Sequence, residues 1–221
     1  MGLGMMERKK MARRAAKEIE DGMIVNLGIG IPSLVPNYIP DGYSVMIQAE
    51  NGLLGIGCSP KTGFENENLC NAAGYPVTTV KGASYFDSAV SFGMIRKGLI
   101  DITILGSLQV SEKGDIANWI VPGKRVPGMG GAMELAQKAK KVIIVMEHVN
   151  KYGEPKIVNE CLYPLTAKKS ADLIITEVAV FQVDSNKGLT LLEKKKEMSV
   201  EEIRKRTACS FFVSENLKLV N

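Results

Sequence analysis

The sequence predicts an α/β fold: an open, mostly parallel sheet with helices on both faces, built as one domain over residues 1–221. Three observations carry that prediction. Short continuous apolar runs, among them Met23–Leu27, Ile100–Leu105 and Val142–Met146, have the character of strands buried on both faces. Segments of helical spacing alternate with them along the chain. A length of 221 residues suits one good-sized domain and is short for two, and no repeat, low-complexity tract or linker divides it.

The elements follow in order. From Glu7 to Asp21 the pattern is helical, and Met11, Ala12, Ala15, Ala16, Ile19 and Met23 fall on one face. Arg8, Lys9, Lys10, Arg13, Arg14 and Lys17 cover much of the rest, and Glu7, Glu18 and Glu20 break up that charge, as on a solvated face. The strand Met23–Leu27 runs into Gly28-Ile29-Gly30-Ile31-Pro32, where Pro32 suits the first turn of a helix because its missing N–H costs nothing there. Val45–Gln48 and Val77–Val80 read as strands, and residues 58–76 between them as irregular. Asp87–Lys97 reads as a helix ending near Gly98. Ile100–Leu105 is a strand, and Gln109-Val110 with the following Ser-Glu-Lys-Gly-Asp forms a hairpin. Gly128–Gly131 opens a helix to about Lys140, followed by the buried strand Val142–Met146. Leu173–Thr176, Val178–Val183, Leu189–Leu192 and Phe211–Val213 are further strands, and Ser199 with Glu202 makes a capping box for the last helix. The Lys194-Lys195-Lys196 run reads as a polar turn.

Composition removes several chemistries. A net charge of +4 is too diffuse for a protein that tracks nucleic acid. No apolar run reaches the ~18 residues of a membrane span, and the first residues lack the apolar centre of a signal peptide. A cytoplasmic protein is expected. His148 is the one histidine, so a His-rich metal site has no second ligand; a structural histidine at a strand end is expected. Cys58, Cys70, Cys161 and Cys209 lack zinc-ligand spacing and are expected as free thiols in the core. What remains is chemistry on carboxylates, amides and backbone dipoles.

Three segments could carry it. Asn26–Pro32 is a strand running into a Gly-rich turn, where backbone N–H groups can meet an anion; Gly28 and Gly30 lack the third glycine of a dinucleotide fingerprint. In Gln48–Gly57 a carboxylate, Glu50, ends a predicted strand, which is where open α/β sheets build sites, although an exposed loop glutamate beside an Asn-Gly turn has the same local signature. In Gly123–Glu134 the pair Gly130-Gly131 at a helix start can stabilise an oxyanion or serve only packing.

Together these segments resemble the β subunit of family I coenzyme A-transferases, the group with the 3-oxoacid and acetate–acetoacetate enzymes. The likeness runs in order through NLGIGIP (26–32), AENG (49–52), GASYFDSA (82–89), ANWIVPGK (117–124), PGMGGAM (127–133), AKKVIIVMEH (139–148) and LIITEVAVFQV (173–183), nearly the whole chain. It implies transfer of CoA between an acyl-CoA and a short carboxylic acid by double displacement, with Glu50 as nucleophile and an anhydride and a glutamyl-CoA thioester as intermediates. A carboxylate of ordinary pKa, about 4.3, is ionised at neutral pH without a general base. The resemblance further implies that Asn26 meets the reacting carbonyl and that Gly131 and Ala132 lie beside the glutamyl carbonyl and the thiol end of CoA. Asn51 joins the substrate-binding set and, with Gly52, fixes the turn presenting Glu50. Gly28, Gly30, Gly52 and Gly130 are the implied CoA-binding glycines.

Lys124, in the matched PGK segment, takes no role beyond a surface cation. No metal and no tightly bound cofactor are implied, since CoA enters as substrate and covalent intermediate. A separate homologous α subunit is implied, in a heterodimer or heterotetramer with the site at the interface, and with no nucleic-acid or membrane partner. Two departures stand out. Ala49 replaces the family's usual Ser, and Asn71-Ala72-Ala73-Gly74 stands where the 3-oxoacid enzymes tend to read Asn-Ala-Gly-Lys, which puts the acetoacetate–succinate pair in doubt as its acids. Two other readings stay open: a sugar-phosphate isomerase or deaminase using Glu50 as a base, and a catalytically inactive CoA-binding subunit.

Overall fold

The computed structural model describes residues 3–123, 126 and 128–220. Lys124 lies outside them. In chain order the elements are α1 (Met5–Ala16), β1 (Ile24–Leu27), a 3-10 segment (Pro32–Tyr38), β2 (Met46–Ala49), β3 (Leu53–Ile56), β4 (Thr79–Tyr85), α2 (Ser88–Arg96), β5 (Ile102–Leu105), β6 (Gln109–Ser111), β7 (Ile116–Ala117), α3 (Ala132–Lys138), β8 (Lys141–Val145), β9 (Ile157–Val158), β10 (Leu173–Ile175), β11 (Ala179–Asp184), β12 (Gly188–Lys195), α4 (Val200–Lys205) and β13 (Phe211–Val220).

Ten strands form one sheet in the order β13-β12-β11-β10-β8-β5-β1-β2-β3-β4. The middle run from β10 to β2 is parallel throughout. Antiparallel pairings continue it on both sides, so the sheet is mostly parallel but mixed. The period of two along a strand feeds both faces. On β8, Ile143 and Val145 pack with Met11, Ala12 and Ala15 of α1. Val142 and Ile144 face the other way, toward Ala136 of α3 and Ile203 of α4. Burying each such isoleucine or valine contributes about 1.5–3 kcal/mol, so the two-sided run through the middle strands dominates the stability. Helices therefore cover both faces, as the apolar strands required. β6, β7 and β9 make a separate three-stranded sheet.

Several elements differ from expectation for identifiable reasons. Residues 53–56 form β3, a hairpin partner of β2, where only a Gly-rich turn was expected. Leu53 and Ile56 are buried there, and the glycines that masked the strand serve the turn and a register shift between Leu54 and Ile56. The helix expected at Pro32 is a 3-10 segment, because Pro36 inside it has no N–H to give. β13 runs to Val220 rather than Val213, paired parallel with β12. The expected polar turn at Lys194–Lys196 is partly the end of β12. The capping box forms: the Glu202 N–H donates to Ser199 Oγ at 3.1 Å, and the Ser199 N–H to Glu202 Oε2 at 2.7 Å.

Two surface expectations are corrected. Arg14 does not sit on a solvated face; its side chain is 16% exposed and bridges Glu18 at 2.6 Å and Glu193 of β12 at 2.8 Å. Cys58 and Cys70 are exposed rather than buried, because the irregular segment between β3 and β4 lies outside the sheet; all four cysteines are free. Burial raises the thiols of half-buried Cys161 and Cys209 to about 12.

His148 is buried just beyond β8, with Nδ1 3.1 Å from Thr176 Oγ1 and Nε2 3.0 Å from Thr207 Oγ1. The Thr207 hydroxyl donates to the Ile203 carbonyl at 2.8 Å and the Thr176 hydroxyl to the Ala179 carbonyl at 3.0 Å, so each offers an oxygen to the ring, which gives its one N–H to one of them. Burial first, and then the charge of Arg206, lowers its pKa to about 4, which keeps it neutral at pH 7. No helix among the described residues is long and apolar enough to cross a membrane.

Candidate active site

Parallel pairing of β1 with β2 sets Asn26 beside Gln48, so both strands end at the same rim of the sheet. At that rim the chain turns sharply from β2 into β3 through Ala49-Glu50-Asn51-Gly52, closed by a Gly52 N–H bond to the Ala49 carbonyl at 3.0 Å. Gly52 has φ +115°, and an added Cβ would lie 2.0 Å from the Phe86 carbonyl oxygen, so only glycine fits. The turn holds Glu50 out from the sheet, half-buried. Asn26 Nδ2 lies 3.4 Å from Glu50 Oε2.

The loop before α3 closes over the same carboxylate. A Cβ on Gly131 would come within 3.3 Å of Glu50 Cγ, and one on Gly130 within 3.8 Å of Oε1. The three segments singled out in the sequence thus meet at one side chain. Beside it opens a cavity of about 510 Å³, walled in part by Gly28-Ile29-Gly30 and by Asn71-Ala72-Ala73 from the irregular segment. Leu27, Ile31, Ile47, Ile56 and Val77 make it largely apolar, and Arg8 and Glu65 bring charge to it.

The other residues singled out in the sequence lie around the turn and the cavity. The N–H of Gly28 donates to the Ile104 carbonyl at 2.8 Å and that of Ala132 to Met129 at 3.3 Å, so neither is turned to an anion. Gly30 contributes backbone to the cavity. Asn51 is exposed and donates from Nδ2 to the Cys70 carbonyl at 3.1 Å, tying the irregular segment to the turn. Gly52 is not among the cavity-lining residues. At Gly74, where the resemblance led to a lysine, an added Cβ would meet no atom within 4 Å. No cluster of three or more His, Cys, Asp or Glu among the described residues is placed to hold a metal ion.

Sequence reasoning missed the buried polar side chains beneath Glu50. Gln48, Ser91 and Thr103 are each at most 1% exposed and link to Asn26 by hydrogen bonds. The available signal was a glutamine inside a short buried strand, flanked by Ile47 and Ala49.

Residues 8–206 match the coenzyme A transferase family. The chain belongs to that family. The β subunit of a probable coenzyme A transferase of Bacillus subtilis (strain 168) is 68% identical over 186 residues, covering 84% of this chain and 86% of its own length. One subunit of a probable succinyl-CoA:3-ketoacid coenzyme A transferase of the same organism is 53% identical over 210 residues, covering 95% of this chain and 97% of its own. Among solved structures, an acyl-CoA transferase apoenzyme of Escherichia coli O157:H7 is similar over 100% of this chain, with a TM-score of 0.78 at 22% identity. The chain spans 44% of that enzyme's chain, and the likeness speaks to the fold, an α/β transferase fold as expected. This member of the coenzyme A transferase family carries its carboxylate where parallel strands end, the usual place for a site in such sheets.

Proposed function

We propose that this chain is the catalytic β subunit of a CoA-transferase that moves CoA between an acyl-CoA and a short-chain 3-oxo or related carboxylic acid, with Glu50 as nucleophile. The observation that carries the reading is Glu50 itself. One carboxylate stands on a rigid turn, 3.4 Å from the Asn26 amide and against the Gly130-Gly131 loop, beside an apolar cavity. The Glu50 carboxylate attacks the thioester carbonyl and expels the CoA thiolate, leaving an acyl-glutamyl anhydride. The thiolate attacks the glutamyl carbonyl, releases the donor acid and forms glutamyl-CoA. The acceptor carboxylate then attacks that thioester and expels the thiolate again. Attack of the thiolate on the new acyl group restores Glu50. The Asn26 N–H faces the oxygen on which negative charge develops, and such placed donors are worth about 3–4 kcal/mol in a water-poor site. The apolar walls keep water from the anhydride.

Both Bacillus relatives are named as single subunits of a larger transferase, which supports a separate α subunit here. The working enzyme is a heterodimer or heterotetramer in the cytoplasm, with CoA bound only as substrate and intermediate. The chain alone is expected to show little activity. Purified with its α subunit and incubated with acyl-CoA, this chain should gain the mass of one CoA, and borohydride should reduce the glutamyl thioester. Glu50→Gln, freshly prepared, should gain nothing and be inactive. An adduct on another residue, or full-rate exchange by a Gln variant that has not reverted, overturns the reading.

A further inference from the structure

Beneath Glu50 runs a chain of buried hydrogen bonds whose direction is fixed at both ends. Asn26, Gln48, Ser91 and Thr103 are each at most 1% exposed. Ser91 Oγ donates to the Ala49 carbonyl at 3.3 Å, and Gln48 Nε2 donates to Ser91 Oγ at 2.7 Å. Asn26 Nδ2 donates to Gln48 Oε1 at 2.7 Å and lies 3.2 Å from the Gln48 main-chain carbonyl. Thr103 Oγ1 is 3.5 Å from Asn26 Oδ1.

The two ends of a carboxamide are nearly the same shape, so only its partners decide which end faces which way. A main-chain carbonyl only accepts. The Ala49 carbonyl therefore takes the single proton of Ser91, whose free lone pair faces Gln48. That calls for Nε2 there and leaves Oε1 for Asn26. The Gln48 carbonyl, on the same side of Asn26, also calls for N–H. One Nδ2 hydrogen of Asn26 is spent on the short bond to Gln48 Oε1; the other points between the Gln48 carbonyl and Glu50 Oε2. Reversing any link would turn a carbonyl oxygen of Asn26 onto the Glu50 carboxylate. At the Gln48 position an apolar residue would fill the strand without the cost of desolvating an amide, so packing alone does not account for the glutamine. No buried side-chain polar atom among the described residues lacks a partner, so the network closes.

We propose that Gln48 and Ser91 are positioning residues for the transferase: they set the sense of the Asn26 carboxamide, and through it keep an N–H on the Glu50 oxygen that becomes the glutamyl carbonyl. This rests on the reading of Glu50 as nucleophile. Gln48 borders the cavity at 1% exposure, and Ser91, fully buried, is not among the cavity-lining residues.

The test uses the complex with its α subunit. Ser91→Ala removes the anchor with little change in volume and should lower kcat about tenfold, equivalent to about 1.4 kcal/mol. KM for acyl-CoA should stay within about twofold, because the interaction is realised in the transition state rather than in binding, and the melting temperature should fall by a few degrees, because Gln48 Nε2 loses its acceptor. Gln48→Met, which keeps the length and loses both polar ends, should lower kcat further. In an Asn26→Ser background, Ser91→Ala should cost nothing more, because its effect passes through Asn26. Full kcat in Ser91→Ala, a loss confined to KM, or losses that multiply in the double variant each overturn the proposal. If Gln48→Met does not fold, the Ser91 and Asn26 cycle decides alone. Glu50→Gln, run alongside, separates the two claims: an active Glu50→Gln refutes the nucleophile, whereas an inactive one with an undiminished Ser91→Ala refutes only the positioning network.

Discussion

Gly52 carries the strictest backbone requirement in the site although it is not among the cavity-lining residues. Its φ of +115° and the 2.0 Å that an added Cβ would leave to the Phe86 carbonyl forbid any other residue without moving the start of α2 or the turn. Gly52→Ala is expected to cost about 3 kcal/mol, from strain and overpacking together. A fall in the urea midpoint, with activity lost in proportion to the displaced Glu50, checks it; an unchanged midpoint would mean that the turn is softer than its geometry. Asn51, next to it, shows what the structure adds at this scale. The resemblance implies a substrate contact, and the carboxamide also reaches the Cys70 carbonyl and secures the cavity wall. Sequence adjacency to Glu50 says nothing of direction, since consecutive turn residues point apart.

At the scale of elements, α1 is held to the sheet by more than its apolar stripe. Arg14 joins Glu18 on its own helix to Glu193 of β12, and Lys141 at the start of β8 reaches Glu18 at 2.7 Å. Burial alone would raise the Glu18 carboxyl, but its hydrogen bonds and charge contacts with Lys141 and Arg14 outweigh that and lower it. Removing one member of a largely buried network leaves the others desolvated and unpaired, whereas an exposed pair such as Lys10 with Glu7 is screened by water. Arg14→Met should therefore cost about 2–3 kcal/mol and Lys10→Met no more than about 0.5 kcal/mol. Chemical denaturation of the two variants, side by side, measures the difference; equal small effects would show that α1 is held by apolar packing alone. The apolar stripe of α1 was legible as a period of 3.6, but the role of Arg14 was not, because Glu193 is 179 residues away in sequence.

For the whole molecule, one buried imidazole sets a pH limit. His148 titrates at about 4 in the fold, against about 6.5 in an unfolded chain. Between those values the unfolded chain binds a proton that the folded one refuses, so stability is full above pH ~6.5 and declines as pH falls toward 4. The loss from this group is on the order of 3 kcal/mol by the lower limit. Glu177, whose carboxyl is raised mainly by burial and accepts the main-chain N–H of His148, works in the opposite direction, so wild type must be compared with a variant that changes the histidine alone. His148→Gln should flatten the decline between pH 6.5 and 4 in a series of thermal melts; a variant with an unchanged slope would assign the acid sensitivity elsewhere.

By itself the sequence determined what is local. Runs such as Ile102–Leu105 and Lys141–Val145 became central strands because an apolar segment of that length has few other ways to bury both faces. The capping box at Ser199 formed because its partners are three residues apart. The three segments about Asn26, Glu50 and Gly131 were legible as separate glycine-rich turns, and the family likeness tied them together. Only the tertiary structure decided how they converge, that β3 and β9 are strands, and that Cys58 and Cys70 face water. It alone revealed Gln48, Ser91 and Thr103 as a network: Thr103 meets Asn26 across 77 residues and Ser91 meets Gln48 across 43. A hydrogen bond between strands depends on register and direction, and those are set by the packing of the entire sheet rather than by the residues on either side of the donor.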